Sequence, residues 1–199
     1  KDAGCTEYNR DKAKDLVAAL KDYPNLVYEG HSSDYQTKEK LKQLVEDGVA
    51  ILKVGPGLTF MAREGLFALA NIEKELYHQT DTKLSNFIET LEKVMLDNPN
   101  KWEKYYPGNE NQKYLKRKYS FSDRSRYYLN HPEVKTAIAI LIDNLKSGVP
   151  LNLLSQFMPI QYTKVRAGIL DNEPISLICD RVINTLDEYL FATNQKALF

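Results

Sequence analysis

Residues 25–60 read NLVYEGHSSDYQTKEKLKQLVEDGVAILKVGPGLTF, and this stretch decides the fold. A short strand over Asn25–Glu29 is predicted to run into the polar loop Gly30–Thr37, and a helix follows. A second apolar strand, Val49–Leu52, then ends in Lys53-Val54-Gly55-Pro56-Gly57. The pattern is a βαβ unit, whose parallel strands carry functional side chains at their carboxyl ends. One strand end holds His31, Ser32, Ser33 and Asp34; its neighbour holds Lys53 with Gly55 and Gly57. Both ends are expected to face one site.

Working outward, Asn9 is placed to cap a helix whose Ala13, Leu16, Val17 and Leu20 repeat at three-four spacing, closed by Pro24. Thr37 caps the next, with Leu41, Leu44 and Val45 inward and Gly48 at its left-handed end. From Leu58 to Gln79 the sequence is apolar on most faces, which predicts a nearly enveloped helix. Beyond Thr80 no strand is expected. Helices are predicted around 84–95, 132–145, 160–167 and 174–192, while 98–112 reads as loop and Ser120-Phe121-Ser122-Asp123 as a helix start. The expectation is an α/β fold with strand-helix units in 1–80 and a helical segment in 81–199. Two parallel strands cannot satisfy both their edges and faces, so partner strands are expected before Lys1, and the chain reads as a piece of something longer.

Lys plus Arg and Asp plus Glu each total 27, so no overall field draws in nucleic acid or an anionic membrane. Cys5 and Cys179 are too few and too far apart for a disulfide framework or a metal clamp, which suits a reducing cytoplasm. No apolar run approaches a membrane span, and no secretory leader is read.

His31 beside hydroxyls and a carboxylate suits a catalytic base, or a loop histidine bonded to its neighbours. No HxxH or HxH spacing accompanies His78 or His131, so a metal site within the chain is not expected. Ser32, Ser33 and Thr37 with the amides of the following helix could hold a phosphate, as could Lys53 with Gly55 and Gly57; the alternative is a plain turn and a solvated lysine. Neither a P-loop nor a GxGxxG fingerprint is present. Tyrosines from Tyr105 to Tyr128 alternate with Lys113, Lys116, Arg117, Lys118, Arg124 and Arg126. That pattern fits a nucleic-acid surface less well than a folded face or a protein interface, because acidic residues lie just upstream.

In order along the chain stand Glu29–Thr37, Ala50–Phe60, Trp102–Tyr106, Tyr119–Tyr128 and Leu154–Pro159, and together these strings resemble the GatZ/KbaZ family. Its members are the non-catalytic subunits of D-tagatose-1,6-bisphosphate aldolase. The likeness runs from about Asn9 to Ala192, with Gly30 and Gly57 where the family usually has Ala, Ser33 where it has Thr, and Phe157-Met158 where it has Tyr-Leu. The resemblance implies a TIM-barrel-like (β/α) body, of which this chain holds the C-terminal portion, followed by a mainly helical segment. It implies a separate catalytic class II aldolase subunit carrying zinc, an oligomeric complex, no cofactor in this chain, and a role in galactitol, tagatose or N-acetylgalactosamine breakdown. A phosphosugar pocket at His31, Ser32, Ser33, Asp34, Lys53, Gly55 and Gly57 is expected, with His31 and Lys53 as the candidates for catalysis should the protein act alone. Some members carry an older label as tagatose 6-phosphate kinases, to which the missing P-loop lends no support.

Overall fold

In the computed structural model, which describes residues 4–195, the chain begins with α1 (Arg10–Ala19), capped as expected by Asn9, whose Oδ1 accepts from the Lys12 amide at 3.0 Å. The apolar stripe on α1 was expected to be buried, but α1 has no buried residue and Leu16 lies open. Ala13, Val17 and Leu20 of that stripe are only partly covered. A turn at Pro24, closed by the Leu26 amide on the Tyr23 carbonyl, uses up the residues expected to open the first strand. β1 is therefore shorter and later than expected, Tyr28–Gly30.

α2 (Lys38–Glu46) is capped by Thr37 and ends at Gly48, whose φ of +93° is the left-handed turn the sequence called for. β2 (Val49–Leu52) returns parallel to β1, with Tyr28 opposite Val49 and Gly30 opposite Leu52. The βαβ expectation holds, and these are the strands of the single two-stranded sheet among the described residues. The fold is thus mixed α/β and mostly helical.

The helices that follow are α3 (Gly57–Leu76), α4 (Phe87–Asp97), α5 (Glu110–Tyr119), α6 (Pro132–Leu145), α7 (Leu151–Phe157), α8 (Pro159–Arg166) and α9 (Pro174–Ala192). α3 is the axis of the core: its Leu69 and Ile72 share one buried cluster with Phe87, Leu91, Val94 and Met95 of α4, Val134, Leu141 and Leu145 of α6, Leu154 of α7 and Leu177 of α9. Burying such side chains contributes roughly 1.5–3 kcal/mol each. A carboxylate buried beside this core, Glu73 of α3, is satisfied by the Ser85 amide at 3.0 Å, the Ser85 hydroxyl at 2.5 Å and Asn144 Nδ2 at 2.6 Å. α9 returns along α2 and α3, tying the end of the chain to the βαβ unit.

Two helices were not anticipated. α5 lies partly in the stretch read as loop, and its start is a reciprocal capping box between Asn109 and Gln112. α7 follows Pro150 and ends against the buried Met158. Among the described residues no helix is long and apolar enough to cross a membrane.

Candidate functional site at the strand ends

The residues at the end of β1 split into two sets. His31 and Ser32 are exposed, whereas Ser33 and Asp34 are buried. His31 Nε2 lies 2.5 Å from Glu29 Oε1, and Lys53 Nζ lies 2.8 Å from the same oxygen. Glu29 therefore brings the two candidate groups together at the rim, and the Lys53 ammonium, with His31 second, holds the Glu29 carboxyl below its usual range. Glu29 went unread in the sequence because a strand carboxylate looks like an outward-facing polar residue.

Beneath the rim, Ser33 Oγ donates to the Lys53 carbonyl at 2.9 Å and lies 3.0 Å from the Tyr189 hydroxyl of α9. Burial pushes the Tyr189 phenol up. Asp34 turns inward and accepts from the Gly55 amide at 2.9 Å and the Gly57 amide at 2.7 Å. The glycine amides weighed above as phosphate donors are thus engaged by the chain's own carboxylate at the start of α3. The same amides favour an anion there for the reason a phosphate would be favoured: N–H groups and the positive helix end point one way. Gly55 permits this approach, since a Cβ on it would sit 2.9 Å from Asp34 Oδ2.

A second group of residues meets these from the far side of the chain. Tyr35 donates its hydroxyl to the Phe121 carbonyl at 2.8 Å, and the two rings lie 4.4 Å apart with Phe60 against both. The Ser120–Asp123 string, read as a helix start, leads into a short 3-10 helix, Arg124–Tyr127, but the Asp123 side chain makes no cap and is fully enclosed. It accepts from Arg63 Nε at 3.0 Å, Thr59 Oγ1 at 2.7 Å and Ser125 Oγ at 2.7 Å. Arg63 is itself sandwiched over Phe60 and Phe67. Burial, reinforced by the Asp123 and Asp34 charges, drives the Tyr35 phenol well above its ordinary range.

Between these banks opens a cleft of about 390 Å³, lined by Ser32, Asp34 and Tyr35 on one side and Phe121, Arg124 and Arg126 on the other. The two arginines stood in the basic, tyrosine-rich stretch but were not read as site residues. Nothing local in sequence joins position 124 to position 34. Elsewhere in that stretch the alternation is spent internally: Arg117 is buried on Glu92 at 2.6 Å and over the Trp102 ring. The Tyr106 hydroxyl accepts from the Arg124 amide at 3.2 Å, so two of the strings read as a resemblance interlock in space. Among the described residues no three His, Cys, Asp or Glu side chains gather as metal ligands.

Residues 1–194 match the family described as D-tagatose-1,6-bisphosphate aldolase subunit GatZ/KbaZ-like. The chain belongs to that family. A solved structure described as a probable tagatose 6 phosphate kinase from Sinorhizobium meliloti 1021 superposes with a TM-score of 0.90 at 38% identity. The superposition covers 96% of this chain and 49% of that one, so this GatZ/KbaZ-like chain spans about half the length of the relative it matches.

Proposed function

We propose that the chain is part of an accessory, non-catalytic subunit of class II D-tagatose-1,6-bisphosphate aldolase, acting in the cytoplasm in galactitol, tagatose or N-acetylgalactosamine breakdown. The observation that carries this reading is the match, over residues 1–194, to a family described as a subunit of that aldolase. In this role the protein stabilises a zinc-bearing catalytic partner and holds no cofactor of its own. The two strands are read as the last of a (β/α) barrel. In support, Val27 is 63% exposed and Ile51 45% exposed, a loss of burial that further strands would reverse. At the strand ends we place a phosphosugar pocket, with His31, Ser32 and Lys53 at its rim and Ser33, Asp34, Gly55 and Gly57 fixing the loops beneath.

The test is turnover. The full-length protein with zinc and tagatose 1,6-bisphosphate is expected to cleave nothing, and its addition to the catalytic subunit is expected to raise cleavage. Cleavage by the protein alone, lost in His31→Ala or Lys53→Ala, would replace this reading with an enzyme in its own right. The relative described as a probable kinase favours a second reading, a sugar-phosphate kinase. Release of ADP from ATP and tagatose 6-phosphate by the purified protein would support it.

A further inference from the structure

We propose that the cleft between the β1–α2 loop and the 121–126 turn binds the phosphate ester of a small sugar or polyol, with Arg124 and Arg126 as its anion partners. The ligand class rests on the phosphosugar reading above; the placement rests on the cleft itself. It lies next to the strand-end rim and shares Ser32 with it, but its positive charge comes from a segment about ninety residues further on.

The charge inventory points to an anion. Among the described residues lining the cleft, Asp34 is the one carboxylate, and its oxygens already accept from the Gly55 and Gly57 amides. Asp123 lies beneath, neutralised by Arg63. Two arginines therefore line the space, and the one acid across from them is already engaged by backbone amides.

Both arginines are held in place before any ligand arrives. Arg126 Nη1 donates to the carbonyls of Ser122 and Asp123, and its Nη2 donates to the Tyr127 hydroxyl at 2.9 Å. Arg124 lies 3.5 Å over the Tyr105 ring and donates its Nε to the Lys101 carbonyl; among the described residues its terminal nitrogens have no hydrogen-bond partner. A planar fork with its outer donors free suits bidentate capture of a phosphate, and fixing it in advance reduces the entropy lost on binding.

The walls suit the remainder of such a ligand. The Ser32 hydroxyl has no hydrogen-bond partner among the described residues and can meet a sugar hydroxyl, while Tyr35 and Phe121 offer apolar faces to C–H groups. About 390 Å³ lies in the range of small-molecule pockets, roughly 300–1,000 Å³, and matches one monosaccharide phosphate. Backbone strain gathers at the same place. Ser32, Tyr35 and Asp123 all have left-handed φ, between 41° and 63°, and strain of this kind is held where surrounding structure fixes a site.

Calorimetric titration of the full-length protein tests the proposal, using tagatose 6-phosphate, tagatose 1,6-bisphosphate and unphosphorylated tagatose. Both phosphorylated sugars are expected to bind and tagatose is not. Arg124→Gln, with its circular dichroism unchanged, should weaken binding by about tenfold or more. Should that variant misfold, phenylglyoxal labelling of the native protein decides the matter: tagatose 6-phosphate should protect Arg124. Binding that survives Arg124→Gln but is lost in Lys53→Ala overturns the arginine cleft and leaves the strand-end pocket standing. Absence of binding by either phosphorylated sugar overturns both, and stimulation of the aldolase is measured separately from either.

Discussion

Asp34 is the residue on which the strand ends turn. Replacing it with alanine leaves the Gly55 amide and the buried Gly57 amide without their acceptor, and a charge-assisted set of this kind is worth about 2–4 kcal/mol. Chemical denaturation of Asp34→Ala should show a loss of that order. Gly55→Ala should also destabilise the protein, by about 1–3 kcal/mol, because the new methyl meets the Asp34 carboxylate. In the Asp34→Ala background the same change should cost less, and strictly additive losses would mean that the two positions are not coupled. The sequence put Asp34 at a strand end, correctly, but not its bonds. Its partners lie twenty-one and twenty-three positions away, and a carboxylate that turns inward to fill a helix start is written the same as one that faces a ligand. Likewise His31 and Lys53 were legible as neighbours, while the Glu29 oxygen that joins them was not.

Among the elements, α3 is joined to the 121–126 turn by the buried Arg63–Asp123 pair. Arg63→Met strands the Asp123 charge in the interior, and unfolding should register a loss of about 3–5 kcal/mol. An undiminished stability would show that Thr59 and Ser125 suffice to satisfy Asp123. α9 depends on Glu173, whose carboxylate accepts from the Ser176 amide at 3.0 Å and the Ile175 amide at 3.3 Å. The Ser176 amide first, then the Ile175 amide, hold its carboxyl below the ordinary 4.5. A carboxyl depressed in the folded state stabilises above its unfolded value, and that stabilisation is lost as pH falls through the folded one. Thermal melts should therefore separate wild type from Glu173→Ala by about 1 kcal/mol near neutrality. The gap should close as the pH falls from 4.5 through the lowered folded value; a gap of constant size would rule out the carboxylate cap. Helices with long apolar repeats, such as α6 and α9, were legible because burial sets their period. α5 was not, being short and strongly charged, although Asn109 and Gln112 carried its start signal. α7 was missed because seven residues give too few turns for a period to emerge.

At the scale of the whole molecule, the sequence announced a parallel βαβ unit with a helical remainder, and that is the architecture described. What it could not announce was the return of α9 over α2 and α3, or the cleft assembled from the 30s and the 120s, since both depend on how the helices stack. At the two-stranded sheet, the apolar side chains of Leu26, Val27 and Ile51 are left open. In the accessory-subunit reading the rest of a barrel covers them, and a catalytic partner meets the assembled body. The most direct measurement is heat inactivation of the catalytic aldolase subunit with and without the full-length protein, followed by size-exclusion chromatography of the mixture. Co-elution and a longer half-life of aldolase activity are the predicted result; separate elution with an unchanged half-life would contradict the account.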